Sequence, residues 1–161
     1  MTRRRAALLC RLAGYGRPDE ARSHPSSTTA DIEFAQGMIA HHEQAIEMAE
    51  IALDPNSGDS SEVIDLATRI KGAGPDMSDG HDMSTMDGMM SADQMNTMAA
   101  MTGAEFDQVW LRMMIVHHEG AIKQSQAAKN NGPNADVRAL ADEIISAQQA
   151  EITEMEALLT S

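Results

Sequence analysis

Residues 38–46 read Met38-Ile39-Ala40-His41-His42-Glu43-Gln44-Ala45-Ile46, and residues 114–122 read Met114-Ile115-Val116-His117-His118-Glu119-Gly120-Ala121-Ile122. The two stretches match at an offset of 76. Around the first, Phe34, Met38, His41, Ala45, Met48 and Ala52 recur at steps of three and four. Ala35, Ile39, His42, Ile46, Ala49 and Leu53 recur beside them. Two adjacent stripes at this spacing make one broad helical face, which predicts a helix over about Asp31 to Leu53. Asp54-Pro55-Asn56-Ser57-Gly58 ends it.

Working outward, Val63, Leu66, Ala67 and Ile70 predict a second helix from Ser60 or Ser61, stopped early by Gly72, Gly74 and Pro75. Ser91 with Gln94 predicts a capping box on a short helix, and Thr102 with Glu105 predicts another on a long one ending near Lys129. The long helix carries Trp110, Met114, His117 and Ala121, with Leu111, Ile115, His118 and Ile122 alongside. After Asn130-Asn131-Gly132-Pro133, Asn134 caps a last helix reaching about Leu159, with Val137, Ala141, Ile144, Gln148, Glu151, Met155 and Leu158 on its seam. Val63-Ile64-Asp65-Leu66-Ala67 matches Val137-Arg138-Ala139-Leu140-Ala141 at an offset of 74. The chain reads as a duplicated helical hairpin, which folds as an all-α four-helix bundle with its second helix shortened.

Composition agrees. Aromatics make up 2% of the 161 residues, which argues against an all-β fold. No run of about 18 apolar residues exists to span a membrane. Six of the 12 basic residues fall in the first 22 positions; beyond them the chain has 6 basic and 23 acidic residues, a net charge of −17. Such a body repels nucleic acid and anionic membranes and attracts cations. The single cysteine, Cys10, excludes an intrachain disulfide. Residues 1–30 read as a degenerate export leader or a disordered tail, because Arg11 cuts the apolar stretch after Arg3-Arg4-Arg5 too short. Residues 31–161 then form the bundle, with a connecting segment at about 75–101 that holds eight of the 14 methionines.

Two features carry chemistry. First, four histidines occupy matching core positions, and packing alone would leave several of their nitrogens without partners in a dry interior. A shared metal ion satisfies them, since neutral imidazole suits copper, zinc, iron and nickel. A structural, hydrogen-bonded cluster is the competing reading. Counting equal distances from the turn near residue 131 brings Gln148 and Glu151 level with His117 and His118, as orienter and ligand. The first hairpin has Gly74 and Met77 at the matching positions, so the site is expected to be asymmetric. Glu43 and Glu119 read as solvated.

Second, Met83-x-x-Met86-x-x-Met89 and Met95-x-x-Met98-x-x-Met101 repeat thioethers at three-residue spacing. Met95, Met98 and Met101 read as the stripe of a short packed helix. Met83, Met86, Met89 and Met90, with His81, sit among polar residues and read as a soft-metal trap for Cu(I). Glu-x-x-His, His-Glu-x-x-His, a phosphate loop and a body thiol are all absent from the sequence.

These residues resemble the bacterial "domain of unknown function 305" family. The resemblance rests on Phe34-Ala35-x-x-Met38-Ile39-x-His41-His42-x-x-Ala45-Ile46-x-Met48-Ala49, the methionine-rich middle, Met114-Ile115-x-His117-His118-Glu119-x-Ala121, and Ala147-Gln148-Gln149-x-Glu151-Ile152-x-x-Met155. It implies a ferritin-like bundle, an extracytoplasmic setting (periplasmic, secreted or at the cell surface) and, as in some members, bound copper. By resemblance His41, His42, His117 and His118 lead as metal ligands, with Met38 and Met114 one turn away. The family pattern continues its second helix through a Gln-x-x-Glu segment that this chain lacks. The shortened helix would expose apolar surface, which invites a homodimer. The reading is therefore an extracytoplasmic protein that sequesters copper or passes it to a partner protein. A ferritin-like metal oxidase and a metal-free interaction bundle are the alternatives.

Overall fold

Thr28 starts the first helix through a reciprocal pair. Its hydroxyl accepts from the Asp31 amide at 3.2 Å, and the Asp31 carboxylate accepts from the Thr28 amide at 2.9 Å. This capping box turns the chain helical at Thr29, slightly ahead of the sequence expectation. The computed structural model describes residues 27–58, 60–73 and 86–160. Most of the expected leader or tail lies outside these residues.

The described residues form five helices and no strand: α1 (Thr29–Ala52), α2 (Ser61–Ala73), α3 (Ala92–Ala99), α4 (Gly103–Asn131) and α5 (Ala135–Leu159). The all-α bundle expected from the periodicity is the observed architecture. α4 packs along α5, α1 packs against α2 and α4, and α3 leans on α4. The described part of the second helix spans 13 residues against 25 in α5, and Gly74 and Pro75, expected to stop it, lie outside the described residues. Gly72 lies inside its last turn rather than ending it. An Arg69–Glu154 ion pair ties α2 to α5.

The caps are partly as anticipated. Ser91 and Gln94 form their capping box, and the Asn134 side chain accepts from the Asp136 amide at 2.9 Å. The Thr102–Glu105 box does not form. Instead the Gly103 amide donates to the Ser57 carbonyl at 2.6 Å, so the turn after α1 satisfies the α4 terminus. Asp107 adds a second tie, accepting from the Ser60 amide at 3.0 Å.

Two apolar clusters build the interior. The larger contains Met48, Leu66, Met98, Phe106, Trp110, Met114 and Met155; the smaller contains Phe34, Met38, Ala121, Ala141 and Ile144. Along α1, α4 and α5 the stretch separating the two clusters holds His41, His117, His118 and Gln148, all buried. The polar residues thus form a layer across the bundle. Among the described residues the exposed large apolar side chains, Ile32, Ile64, Val116 and Leu140, fall one each on α1, α2, α4 and α5. No described helix is long and apolar enough to cross a membrane.

Trp110 anchors the larger cluster. It is fully buried, and its Nε1 donates to the Met48 carbonyl at 2.9 Å, joining α4 to α1. Trp110→Ala is expected to cost about 3–5 kcal/mol, read as a lower urea midpoint. A loss below about 1 kcal/mol would mean that the α1–α4 contact does not depend on it.

Candidate metal centre

Neighbouring residues on a helix diverge by about 100°. On α1 this sends His41 inward and leaves His42 half-buried. On α4 both His117 and His118 are 1% exposed, because α4 has α1 on one side and α5 on the other. The His41 and His117 rings meet with centroids 3.8 Å apart and a 51° tilt. The His117 and His118 centroids are 6.2 Å apart.

Three of the four rings have one nitrogen placed against an oxygen. His118 Nε2 donates to the Glu151 carboxylate at 2.6 Å, His42 Nδ1 donates to the Met38 carbonyl at 2.9 Å, and His41 Nε2 lies 3.4 Å from the Asp87 carbonyl. In a neutral ring, a proton held on one nitrogen leaves a lone pair on the other. The remaining nitrogens of His41 and His118 are buried without a hydrogen-bond partner, and His117 has none at either nitrogen. Gln148 Oε1 is likewise buried and unpartnered. Of the two residues expected level with the histidines, Glu151 meets His118, while Gln148 is buried with its Oε1 open. Glu119 is exposed, in keeping with its reading, while Glu43 is half-buried.

Burial disfavours charge on His41, His42 and His117. It is the largest cause pulling His117 down to about 2, with the neighbouring His41, His118 and His42 adding to it. Burial also takes His41 down to about 4, against the Asp87 carbonyl, which raises it. His42 is lowered for the same first reason. His41 and His117 are therefore neutral at physiological pH, the form that binds metal.

The methionines divide. Met95 and Met98 are buried on α3, as the packed-stripe reading expects. Met38 and Met114 are core residues in the smaller and larger clusters respectively. Met90 corrects the expectation of a loop methionine with nothing to pack on: it is 4% exposed and belongs to the larger cluster. Met86 and Met89 are half-buried. His81 and Met83 lie outside the described residues.

One set of residues went unnoticed in the sequence. The Gln44 side chain grips the Met90 backbone at both ends, donating to its carbonyl at 2.8 Å and accepting from its amide at 2.7 Å. A signal was present: Gln44 and Gly120 mark one of the two positions, with Ala40 and Val116, where the His-His-Glu stretches differ.

A family model described as "Domain of unknown function (DUF305)" matches residues 31–77 and 71–159. The chain belongs to this family. Among solved structures, a DUF305 protein from Streptomyces coelicolor assigned as secreted is 28% identical, with 81% of this chain and 91% of that one covered and a TM-score of 0.70. A DUF305 fragment from Deinococcus radiodurans is 26% identical over 84% of this chain and 99% of its own, also at TM-score 0.70. CopM in its Cu(II)-bound form is 28% identical over 81% of this chain and 95% of its own, at TM-score 0.61. CopM also matches in Cu(I)-bound, Ag-bound and apo forms. No curated protein matches.

Within this DUF305 chain the donor set fits a borderline or soft ion: neutral imidazoles with open nitrogens, one amide oxygen, and thioethers close by in sequence. Among the described residues, however, no three His, Cys, Asp or Glu side chains are placed as a group that could hold a metal. His41 and His117 lie ring to ring, so convergence on one ion requires rotation of their side chains.

The depressed histidines make stability depend on pH with a definite sign. The unfolded rings, near 6.5, take up protons before the folded ones do. Stability from His41 is complete above about pH 6.5 and falls as pH drops towards 4, by about 1.4 kcal/mol per pH unit. His117 extends the same loss to lower pH. Urea titrations of metal-free protein between about pH 7 and pH 4 check this, and His117→Phe should give a shallower slope. Equal slopes in the two proteins would contradict a neutral, buried His117.

Proposed function

We propose that this DUF305 protein binds copper outside the cytoplasm and either sequesters it or hands it to a partner protein. The observation that carries this is His117, an imidazole buried with neither nitrogen hydrogen-bonded, flanked by His41 and His118 with one open nitrogen each. A ring kept only for packing is better replaced by an apolar side chain, since an unpaired buried polar group costs about 1–3 kcal/mol. Ligation supplies the reason to keep it.

In this reading His41, His42, His117 and His118 bind the metal, Gln148 offers its oxygen, and Glu151 fixes the His118 ring. Met86 and Met89, with His81 and Met83, add soft donors, while Met90 serves the core. Imidazole accepts Cu(I) or Cu(II), and thioether favours Cu(I). CopM, solved with Cu(II), Cu(I) and Ag bound, supports the choice of metal. The Streptomyces coelicolor relative supports the compartment.

The test pairs metal content with stability. The full chain, incubated without oxygen with Cu(I), Cu(II), Zn(II), Fe(II) or Ni(II) and then desalted, is expected to retain copper when assayed by elemental mass spectrometry. His117→Phe should lose most of that copper, while the metal-free variant stays within about 1 kcal/mol of the parent or gains stability. Undiminished copper in the variant would sink the proposal. So would a loss of several kcal/mol without metal, since it would reveal a structural histidine.

A further inference from the structure

Residues 86–90, within the methionine-rich segment, cross the bundle at the histidine layer, with Asp87 against His41 and Gly88 against the His117 backbone. Gly88 has φ +85°, and a Cβ there would come within 2.8 Å of the Val116 carbonyl and 3.0 Å of the His117 carbonyl. Gly120 answers it from α4: a Cβ at that position would fall 2.1 Å from the Asp87 carbonyl oxygen. On the α1 side, a Cβ at Gly37 would sit 3.2 Å from the Met86 sulfur. Backbone can come this close to α4 only because both contacting residues lack side chains.

The fastenings of this crossing are few and mostly polar. Gln44 holds Met90 by two hydrogen bonds, Lys123 pairs with the Asp87 carboxylate at 2.6 Å, and Gln124 and His41 each reach the Asp87 carbonyl at 3.4 Å. Water can replace each polar contact at small net cost. The Met90 side chain is the one deeply buried anchor. Segments fastened this way open locally, far more often than the whole molecule unfolds.

We propose that residues 86–90 are a clasp over the His41–His117 pair, closed by Gln44 and seated on Gly88 and Gly120, whose opening sets the rate of metal entry and release. The proposal rests on the copper-handling reading but makes its own demand. The open nitrogens of His41 and His117 lie in the interior, with each residue no more than 1% exposed. An ion reaches them only after something moves aside, and the Asp87 carbonyl already touches His41. Gln44 is thus a positioning residue, holding the clasp without touching metal.

Gln44→Ala in the full chain provides the test, because it removes both bonds to Met90 and adds no bulk. In metal-free protein, diethyl pyrocarbonate modifies neutral imidazole nitrogens, and mass spectrometry locates the modified ring. Modification of His41 and His117 is expected to speed up about tenfold in Gln44→Ala. Gln44→Glu, which keeps an acceptor for the Met90 amide, should fall between the two and replaces the alanine variant if that one loses its helicity. In copper-loaded protein, stripping by an excess of bathocuproine disulfonate should accelerate by a similar factor, with copper per chain unchanged. Unchanged modification rates overturn the clasp whether or not copper binds. Faster modification with unchanged stripping overturns its control of release. A wild-type chain that retains no copper overturns the functional reading and with it the proposed metal control, while the modification rates still decide whether the clasp covers the rings.

Discussion

An imidazole nitrogen without a partner costs free energy in a dry helix interface, of the order of 1–3 kcal/mol for each group left unsatisfied. This bundle accepts that cost several times at one height. His41, His117, His118 and Gln148 together interrupt what would otherwise be a continuous apolar seam. The architecture on either side is arranged to bear it. One apolar cluster lies on each side of the layer, and the larger is tied across helices by the buried Trp110–Met48 hydrogen bond. Apolar burial at about 25 cal/mol per Å² supplies the surplus from which such a layer is maintained. The layer also controls electrostatics: His41 and His117 lie where protonating them is opposed by burial and by their neighbours, so both stay neutral.

The oxygens around the layer are as informative as the nitrogens within it. Glu151, the Met38 carbonyl and the Asp87 carbonyl each face one nitrogen of a different ring. Outer partners of this kind fix ring orientation and tautomer at metal sites. A purely structural cluster would be expected to close bonds between its own members as well. Instead the His41 and His117 rings meet at a tilt, with no hydrogen bond from one ring to the other, and Gln148 keeps its oxygen open.

Most of the frame was legible because it rests on local, periodic signals. The stripes through His41 and His117 locate α1 and α4, and counting from the turn near residue 131 brings Glu151 level with His118, where the two are in contact. Signals that depend on tertiary partners were not legible. Thr102 and Glu105 have the right spacing for a cap, but the Ser57 carbonyl takes the Gly103 amide, and nothing local announces Ser57. Met90 looked stranded among polar neighbours, because its packing partners lie far away in sequence. The Thr28–Asp31 box was missed because Asp replaces the usual Glu or Gln at its third position. That Glu151 meets His118 while Gln148 keeps its oxygen open depends on side-chain directions, which spacing does not supply.

The two His-His-Glu stretches are nearly the same in sequence, yet their surroundings differ. α5 extends along α4 and offers Glu151 to His118. The described part of α2 reaches Ala73, the positions matching Gln148 and Glu151 lie outside the described residues, and His42 turns to a carbonyl of its own helix. His41 takes its oxygen from neither helix but from the backbone at Asp87, on the segment leading out of the methionine-rich region. The histidine layer consequently has one side oriented by a 25-residue helix and another oriented by a short crossing that side-chain hydrogen bonds secure. A layer held equally firmly on both sides would suit permanent storage. In the proposed copper-handling reading, unequal support suits a protein that must also let its ion go, with His41, under the crossing segment, as the point of departure.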